Sequence, residues 1–242
     1  MTQTKLPISS LKGKWKPYPA YKDSGVEWLG EIPEHWEVRP LKYVTRNGFV
    51  NGLFKRKDQF GSGVKLINVV DIYGDNFLID FQGLDRVEVE EQEYKAFKVI
   101  PGDIFFVRSS LKLEGVAASA SIFEISEPTV FECHLVKIHP SLKIAIPEYL
   151  INYLNSSRVH QRLIAFAETT TMTTITQPKL ASLEVVIPPI AEQQVIATYI
   201  EKETAKIDAL ISRIREGIEK LKEYSTALIS AAVTGKIDVG GL

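Results

Sequence analysis

Leu183-Glu184-Val185-Val186-Ile187-Pro188-Pro189-Ile190-Ala191-Glu192-Gln193-Gln194 is the stretch on which the fold turns. Its first part, Leu183–Ile187, reads as a strand ending in the β-branched Val185-Val186-Ile187, and two prolines that cannot donate to a strand ladder stop it. Beyond them the character changes. Residues 191–233 contain no proline and a single glycine, Gly217. Ile200, Ile207, Ile214, Leu221 and Leu228 recur every seven residues. Ile211 and Ile218 fall four residues after Ile207 and Ile214, and Leu210 and Tyr224 fall three after Ile207 and Leu221. A heptad ridge sustained this long predicts a coiled-coil helix of about 43 residues, a rod of about 65 Å. Thr234-Gly235 supplies its stop, because glycine takes the left-handed cap. Such a ridge calls for a partner helix. The alternative is a helix folded against its own domain, which a strict seven-residue repeat suits less well.

Upstream of Leu183 the sequence predicts a globular α+β domain over 21–188. Val64–Val70, Phe77–Phe81, Ile104–Val107, Val116–Phe123 and Leu135–Ile138 read as strands between turn signals. Val38, Leu41 and Val44 stand at helical spacing. Pro147 suits the first position of a helix whose stripe of Tyr149, Leu150, Tyr153 and Leu154 extends toward Phe166. Residues 1–20, with Pro7, Pro17 and Pro19, read as a flexible lead-in, residues 189–235 as the long helix and 236–242 as a tail.

The totals set limits. Hydrophobic residues make up 45% of the 242, enough for a core, and the formal net charge of −1 argues against a uniformly basic nucleic-acid binder. The charge is unevenly spread, however. Residues 1–60 carry 11 Lys/Arg against 6 Asp/Glu, and residues 61–130 carry 6 against 12. A neutral chain can still bind DNA if its cations gather on one face. Cys133 is the one cysteine, so no intramolecular disulfide forms, which fits a reducing cytoplasm. No signal peptide and no membrane-length apolar run is visible.

Motifs for catalysis are poor. Asp58-Gln59-Phe60-Gly61-Ser62-Gly63 follows Lys55-Arg56-Lys57 rather than a buried strand, so it reads as a surface loop, not a phosphate cradle. Ile187-Pro188-Pro189-Ile190 has the prolines of an amino-methyltransferase turn without its polar residue or its ring. Asp103 and Glu114 lack the companion lysine of a metal nuclease. His35, His134, His139 and His160 show no zinc spacing with Cys133. The run Glu88, Glu90, Glu91, Glu93 reads as a solvated face.

Three segments suit DNA. Lys55-Arg56-Lys57, between Gly52 and Gly61, reads as an exposed basic loop able to neutralise phosphates. Arg108-Ser109-Ser110-Leu111-Lys112 follows the strand Ile104–Val107. Arg can grip guanine with two hydrogen bonds and Ser can serve phosphate or base, while a loop at a strand end is where binding residues gather. Thr169-Thr170-Thr171-Met172-Thr173-Thr174-Ile175-Thr176-Gln177 is rich in hydroxyls and uncharged, poor helix material that predicts an exposed strand. Each also admits a plain structural reading: a charged loop, a polar turn, an edge strand.

Two long segments resemble the specificity subunits of type I restriction–modification systems. Tyr21-Lys22-Asp23-Ser24-Gly25-Val26-Glu27-Trp28-Leu29-Gly30-Glu31-Ile32-Pro33-Glu34-His35-Trp36-Glu37-Val38 looks like the family's opening signature. Ile187-Pro188-Pro189-Ile190-Ala191-Glu192-Gln193-Gln194 looks like the start of its long helix. Pro101-Gly102-Asp103-Ile104-Phe105-Phe106-Val107-Arg108-Ser109 also resembles a strand and loop of its target-recognition domain. The usual member carries two recognition domains and two long helices in about twice this length; here there is one of each. The resemblance implies a non-catalytic, half-length subunit that reads one half-site of double-stranded DNA. It implies a bacterial or archaeal cytoplasm, with methyltransferase and restriction subunits as partners that supply S-adenosylmethionine, ATP and Mg chemistry, none of it bound by this chain. An unpaired ridge at Ile200, Ile207, Leu210, Ile211, Ile214, Ile218, Leu221 and Leu228 then suggests a homodimer of antiparallel helices reading an interrupted palindrome. The competing expectation is a truncated, DNA-inactive scaffold whose helix only binds protein.

Overall fold

Ile104–Val107 is buried at all four positions and forms a central strand, β7, of the largest sheet. A computed structural model describes residues 16–169 and 172–239. The chain divides by its internal contacts into two units, meeting at Gln194/Val195.

In the first unit, β1 (Tyr21–Asp23) pairs antiparallel with β2 (Glu31–Pro33), and β3 (Glu37–Pro40) leads through a 3-10 turn at Leu41–Tyr43 into β4 (Thr45–Asn51). The helical spacing of Val38, Leu41 and Val44 is therefore not a helix. Leu41 and Val44 are fully buried because the tight turn between two strands aims both inward. Next come β5 (Phe60–Ile67), β6 (Asp85–Val87), helix α1 (Glu91–Phe97), β7, β8 (Ser109–Ser110), β9 (Ser119–Ser121), β10 (Thr129–Phe131) and β11 (Leu135–Pro140). Helices α2 (Pro147–Leu154) and α3 (Ser157–Phe166) follow, then β12 (Glu168–Thr169), β13 (Thr173–Thr174), α4 (Gln177–Ala181) and β14 (Glu184–Ile187).

The sheet order is β4-β11-β7-β9, all antiparallel. Its faces hold two apolar layers. One joins Ile104, Phe106, Val136 and Ile138 to Leu150 and Leu154 of α2 and Leu163 of α3. The other joins Phe105, Val107 and Leu135 to Ile67, Phe131 and Ile79. A smaller sheet, β10-β5-β6, closes the second layer. The alternation along β7 explains why its sequence is a continuous apolar run: both faces are covered.

Several predicted elements differ. Phe77–Phe81 makes a single bridge, Leu78 to Ser121, after a 3-10 turn with Asn76 and Phe77 at positive φ, so it bends rather than pairs, leaving Phe77 exposed while Ile79 and Phe81 enter the core. Val116–Phe123 shortens to β9. The single helix from Pro147 breaks in two at Asn155-Ser156. The glycines at 61 and 63 belong to a strand, not a loop. They form a bulge in β5, where Gly63, at φ +93°, lies so close to the Val87 carbonyl that a Cβ would stand 2.4 Å from it. The acidic run caps and builds α1, which the sequence reading missed: the Glu93 carboxylate accepts from the Glu90 N–H at 2.8 Å.

Helix α5 runs from Ile190 to Val233, 44 residues, with Gly235 at positive φ after it. The fold is thus a mixed α+β domain followed by a long C-terminal helix, as its sequence predicts. No helix among the described residues is long and apolar enough to cross a membrane.

Candidate nucleic-acid interface

The register of the large sheet brings three chain segments to one end. Asn51 ends β4 opposite Val136, and Val107 ends β7 opposite Leu135, so Asn51, Arg108 and the turn at Cys133-His134 share that end. The Arg108 N–H donates to the His134 carbonyl at 2.9 Å. The chain then crosses into a second sheet, β12-β13-β8, where Ser109 faces Thr174 and Ser110 faces Thr173. The Ile175 N–H closes this junction on the Arg108 carbonyl at 2.8 Å. Gln177, at the start of α4, donates from its amide to Asn51 Oδ1 at 2.9 Å. Two segments that look unrelated in sequence, the Arg108–Lys112 loop and the threonine-rich stretch, are therefore one hydrogen-bonded surface.

Its side chains divide by exposure. Lys112, Asn51 and His134 are exposed, and Arg108, Ser110, Thr174 and Gln177 are half-buried; Arg56, in the separate loop after β4, is exposed too. Ser109 is 8% exposed and Thr173 4%, so their hydroxyls, expected on the DNA face, belong to the sheet interior. Lys55 also departs from expectation. Its ammonium lies 2.6 Å from the Glu93 carboxylate and its side chain is 5% exposed. That hydrogen bond holds the Glu93 carboxyl below the usual range. A lysine committed to a neighbouring carboxylate is not available to neutralise phosphate, which leaves Arg56 as the exposed cation of that loop whose side chain is described. Thr170 and Thr171 lie outside the described residues, as do the side chains of Lys57 and Thr169.

Asn51 and His134 went unread in the sequence. Asn51-Gly52 is a turn signal after Phe49-Val50 and could have marked a strand end. His134 carries no local signal; only the pairing of β11 with β7 places it beside Arg108. Burial pushes the Cys133 thiol pKa up, with the adjacent Glu132 adding to the effect and the Arg108 charge partly opposing it. The thiol therefore has no activated character.

The sheet behind this surface is held by a buried ion network. Asp103 is fully buried, with Oδ1 2.9 Å from His139 Nδ1 and Oδ2 3.1 Å from Lys137 Nζ, and it accepts from the Ile100 N–H at 2.9 Å. This carboxylate, weighed above as a metal ligand, is occupied in fixing the turn before β7.

The two signature segments meet as well. Strand β14 pairs antiparallel with β3, setting Val186 opposite Val38. Trp28 Nε1 donates to Glu184 at 3.2 Å, and Trp36 Nε1 donates to Glu192 at 2.5 Å, with His35 Nε2 3.0 Å from the same carboxylate. Gln193 is fully buried. Its amide donates to the carbonyls of Ile144 and Pro188, both at 2.8 Å, and its oxygen accepts from the Ile146 N–H at 3.0 Å.

In the second unit, Ile207, Leu210, Ile211, Ile214, Ile218, Leu221 and Leu228 are all exposed, Ile214 by 54% and Leu221 by 69%; Ile200 is half-buried. These side chains of the heptad ridge are therefore exposed in the single chain.

Residues 33–220 match the type I restriction modification DNA specificity domain, and the chain belongs to that family. It is 28% identical over 212 residues to the putative type I restriction enzyme MjaX specificity subunit of Methanocaldococcus jannaschii, covering 85% of this chain and 47% of that protein. It is 24% identical over 217 residues to the EcoKI specificity subunit of Escherichia coli K12, covering 86% and 44%. The chain spans about half the length of the curated relatives it matches. Among solved structures, the HsdS subunit of Thermoanaerobacter tengcongensis shares its fold, with a TM-score of 0.58 at 18% identity over 90% of this chain and 48% of that one.

Proposed function

We propose that this chain is the sequence-reading component of a type I restriction–modification assembly, non-catalytic itself, with its recognition domain reading one half-site of duplex DNA. The observation that carries this is the joining of Arg108, Ser110 and Lys112 with Thr174, Gln177 and Asn51 on one hydrogen-bonded strand-end surface. Such a surface offers a bidentate guanine reader and amides suited to adenine beside hydroxyls and a cation suited to phosphate. The uncovered ridge of α5 supports a second role, pairing with another helix. The simplest occupant is the same helix of a second copy, antiparallel, with methyltransferase subunits docked alongside and a restriction subunit beyond them. S-adenosylmethionine, ATP and Mg act on those partners, in the cytoplasm of the cell. The spacing between half-sites then follows the length of the helix.

The test selects duplexes from a random library with the full chain and its methyltransferase partner, then measures affinity against salt. A recurring interrupted motif, bound more tightly than other sequences, is expected. Absence of any salt-dependent, sequence-preferring binding would favour the DNA-inactive scaffold. Sedimentation tests the helix role: a dimer that Ile207→Glu with Ile214→Glu dissociates is expected, and a strict monomer at tens of micromolar (about the range in which a specific interface is populated) would refute it.

A further inference from the structure

Leu111 is 84% exposed, at the tip of the short turn between β8 and the 3-10 turn Leu113–Gly115. Single exposed leucines are common on protein surfaces and say little alone. This one is set apart by what surrounds it. It stands between Arg108 and Lys112, and the turn that carries it is tied down. Ser110 Oγ accepts from the Lys112 N–H at 3.1 Å, the Gly115 N–H donates to the Lys112 carbonyl at 3.1 Å, and the Tyr73 hydroxyl donates to the Gly115 carbonyl at 3.1 Å. An isobutyl group is thus displayed on a held turn, three residues after the half-buried Arg108 and next to the exposed Lys112, with Leu113 and Glu114 exposed beyond it. The only apolar feature that a base pair presents in the major groove is the C5-methyl of thymine.

We propose that Leu111 is a specificity-determining residue that packs its side chain on the methyl group of one thymine in the target half-site, while Arg108 and Lys112 hold the adjoining bases and phosphates. This rests on the DNA-reading function proposed above and adds a residue and a base to it. A held turn limits the backbone ordering that binding would cost.

The experiment uses duplexes selected from a random library by the full chain with its methyltransferase partner, in which each thymine is replaced in turn by deoxyuridine. That change removes one methyl group and leaves base pairing intact. The wild-type chain is expected to lose affinity about four-fold at one position, which is what burying one methyl group is worth. Leu111→Ala should bind the selected duplex more weakly and show no penalty for deoxyuridine at that position, with its salt dependence unchanged. Leu111→Met, which retains an apolar side chain of similar volume, should keep most of the penalty. Deoxyuridine penalties identical in wild type and Leu111→Ala, on duplexes that the chain still selects, would overturn this inference alone. Loss of methyltransferase binding by Leu111→Ala without any change in the deoxyuridine pattern would also overturn it, marking the leucine as a protein contact. If no duplex is selected at all, the DNA-reading function falls and this inference falls with it.

Discussion

Trp36 and Glu192 lie 156 residues apart in sequence and 2.5 Å apart in space, indole N–H to carboxylate. The N-terminal signature and the first turn of the long helix are thereby one structural unit, with β3 and β14 pairing beneath them. A charge-assisted bond of this kind is stronger than a neutral one. Trp36→Phe keeps the ring's bulk in part and removes the donor, so stability should fall by about 1–3 kcal/mol. Chemical denaturation checks this; an unchanged midpoint would mean that the contact is incidental.

Gln193 should be more costly to remove. Gln193→Ala strips the Ile146 N–H and the Ile144 and Pro188 carbonyls of their shared partner inside the protein. Each buried group left unmatched costs about 1–3 kcal/mol. A loss of several kcal/mol, or failure to fold, is expected; Gln193→Glu should also destabilise, because a carboxylate cannot donate to two carbonyls.

Asp103 holds Lys137 and His139 from a fully buried position. Asp103→Ala leaves the lysine's charge without its partner, and a loss of about 3–5 kcal/mol follows from breaking a buried pair on one side. If Asp103 instead served a metal-dependent reaction, the variant would keep its thermal midpoint. A melting curve separates the two.

Arg108 and Arg56 should fail in different ways. Arg108→Ala is expected to cost about 1–3 kcal/mol on the selected sequence and to relax the preference at one base pair. Arg56→Ala should weaken all sequences alike and lower the slope of affinity against salt by about 1. Uniform loss for both variants, in a binding assay over a salt series, would refute the assignment of Arg108 to a base.

His160, on α3, should make stability depend on pH. Its burial outweighs the opposing hydrogen bond to the Glu114 backbone and lowers its pKa from the usual 6.5. The unfolded chain then takes a proton more readily than the folded one. Stability is therefore complete above about 6.5 and declines as the pH falls from there toward the folded value. His160→Gln should flatten this part of the profile in denaturation measured on either side of 6.5. A slope identical to wild type would show that the ring does not titrate differently on folding.

The sequence by itself determined those features whose cause is local. The ridge of α5 is a period written in consecutive residues, the helix start at Pro147 is a property of one ring, and β7 is a run of four apolar residues too short for a helix. The segments proposed to face DNA were legible in the same way, as a loop after a strand and as a hydroxyl-rich stretch that suits no helix. The tertiary structure alone decided which of their side chains are available. Lys55 is closed by Glu93, 38 residues away, and Ser109 and Thr173 are closed by the β8–β13 pairing. Strands of two residues have no period to read, so neither that pairing nor the meeting of Asn51 with Gln177 leaves a trace in sequence. Leu41 and Val44 show the same limit from the other side: both are buried, but by a turn between strands, because spacing records which residues face inward and not which backbone turned them there.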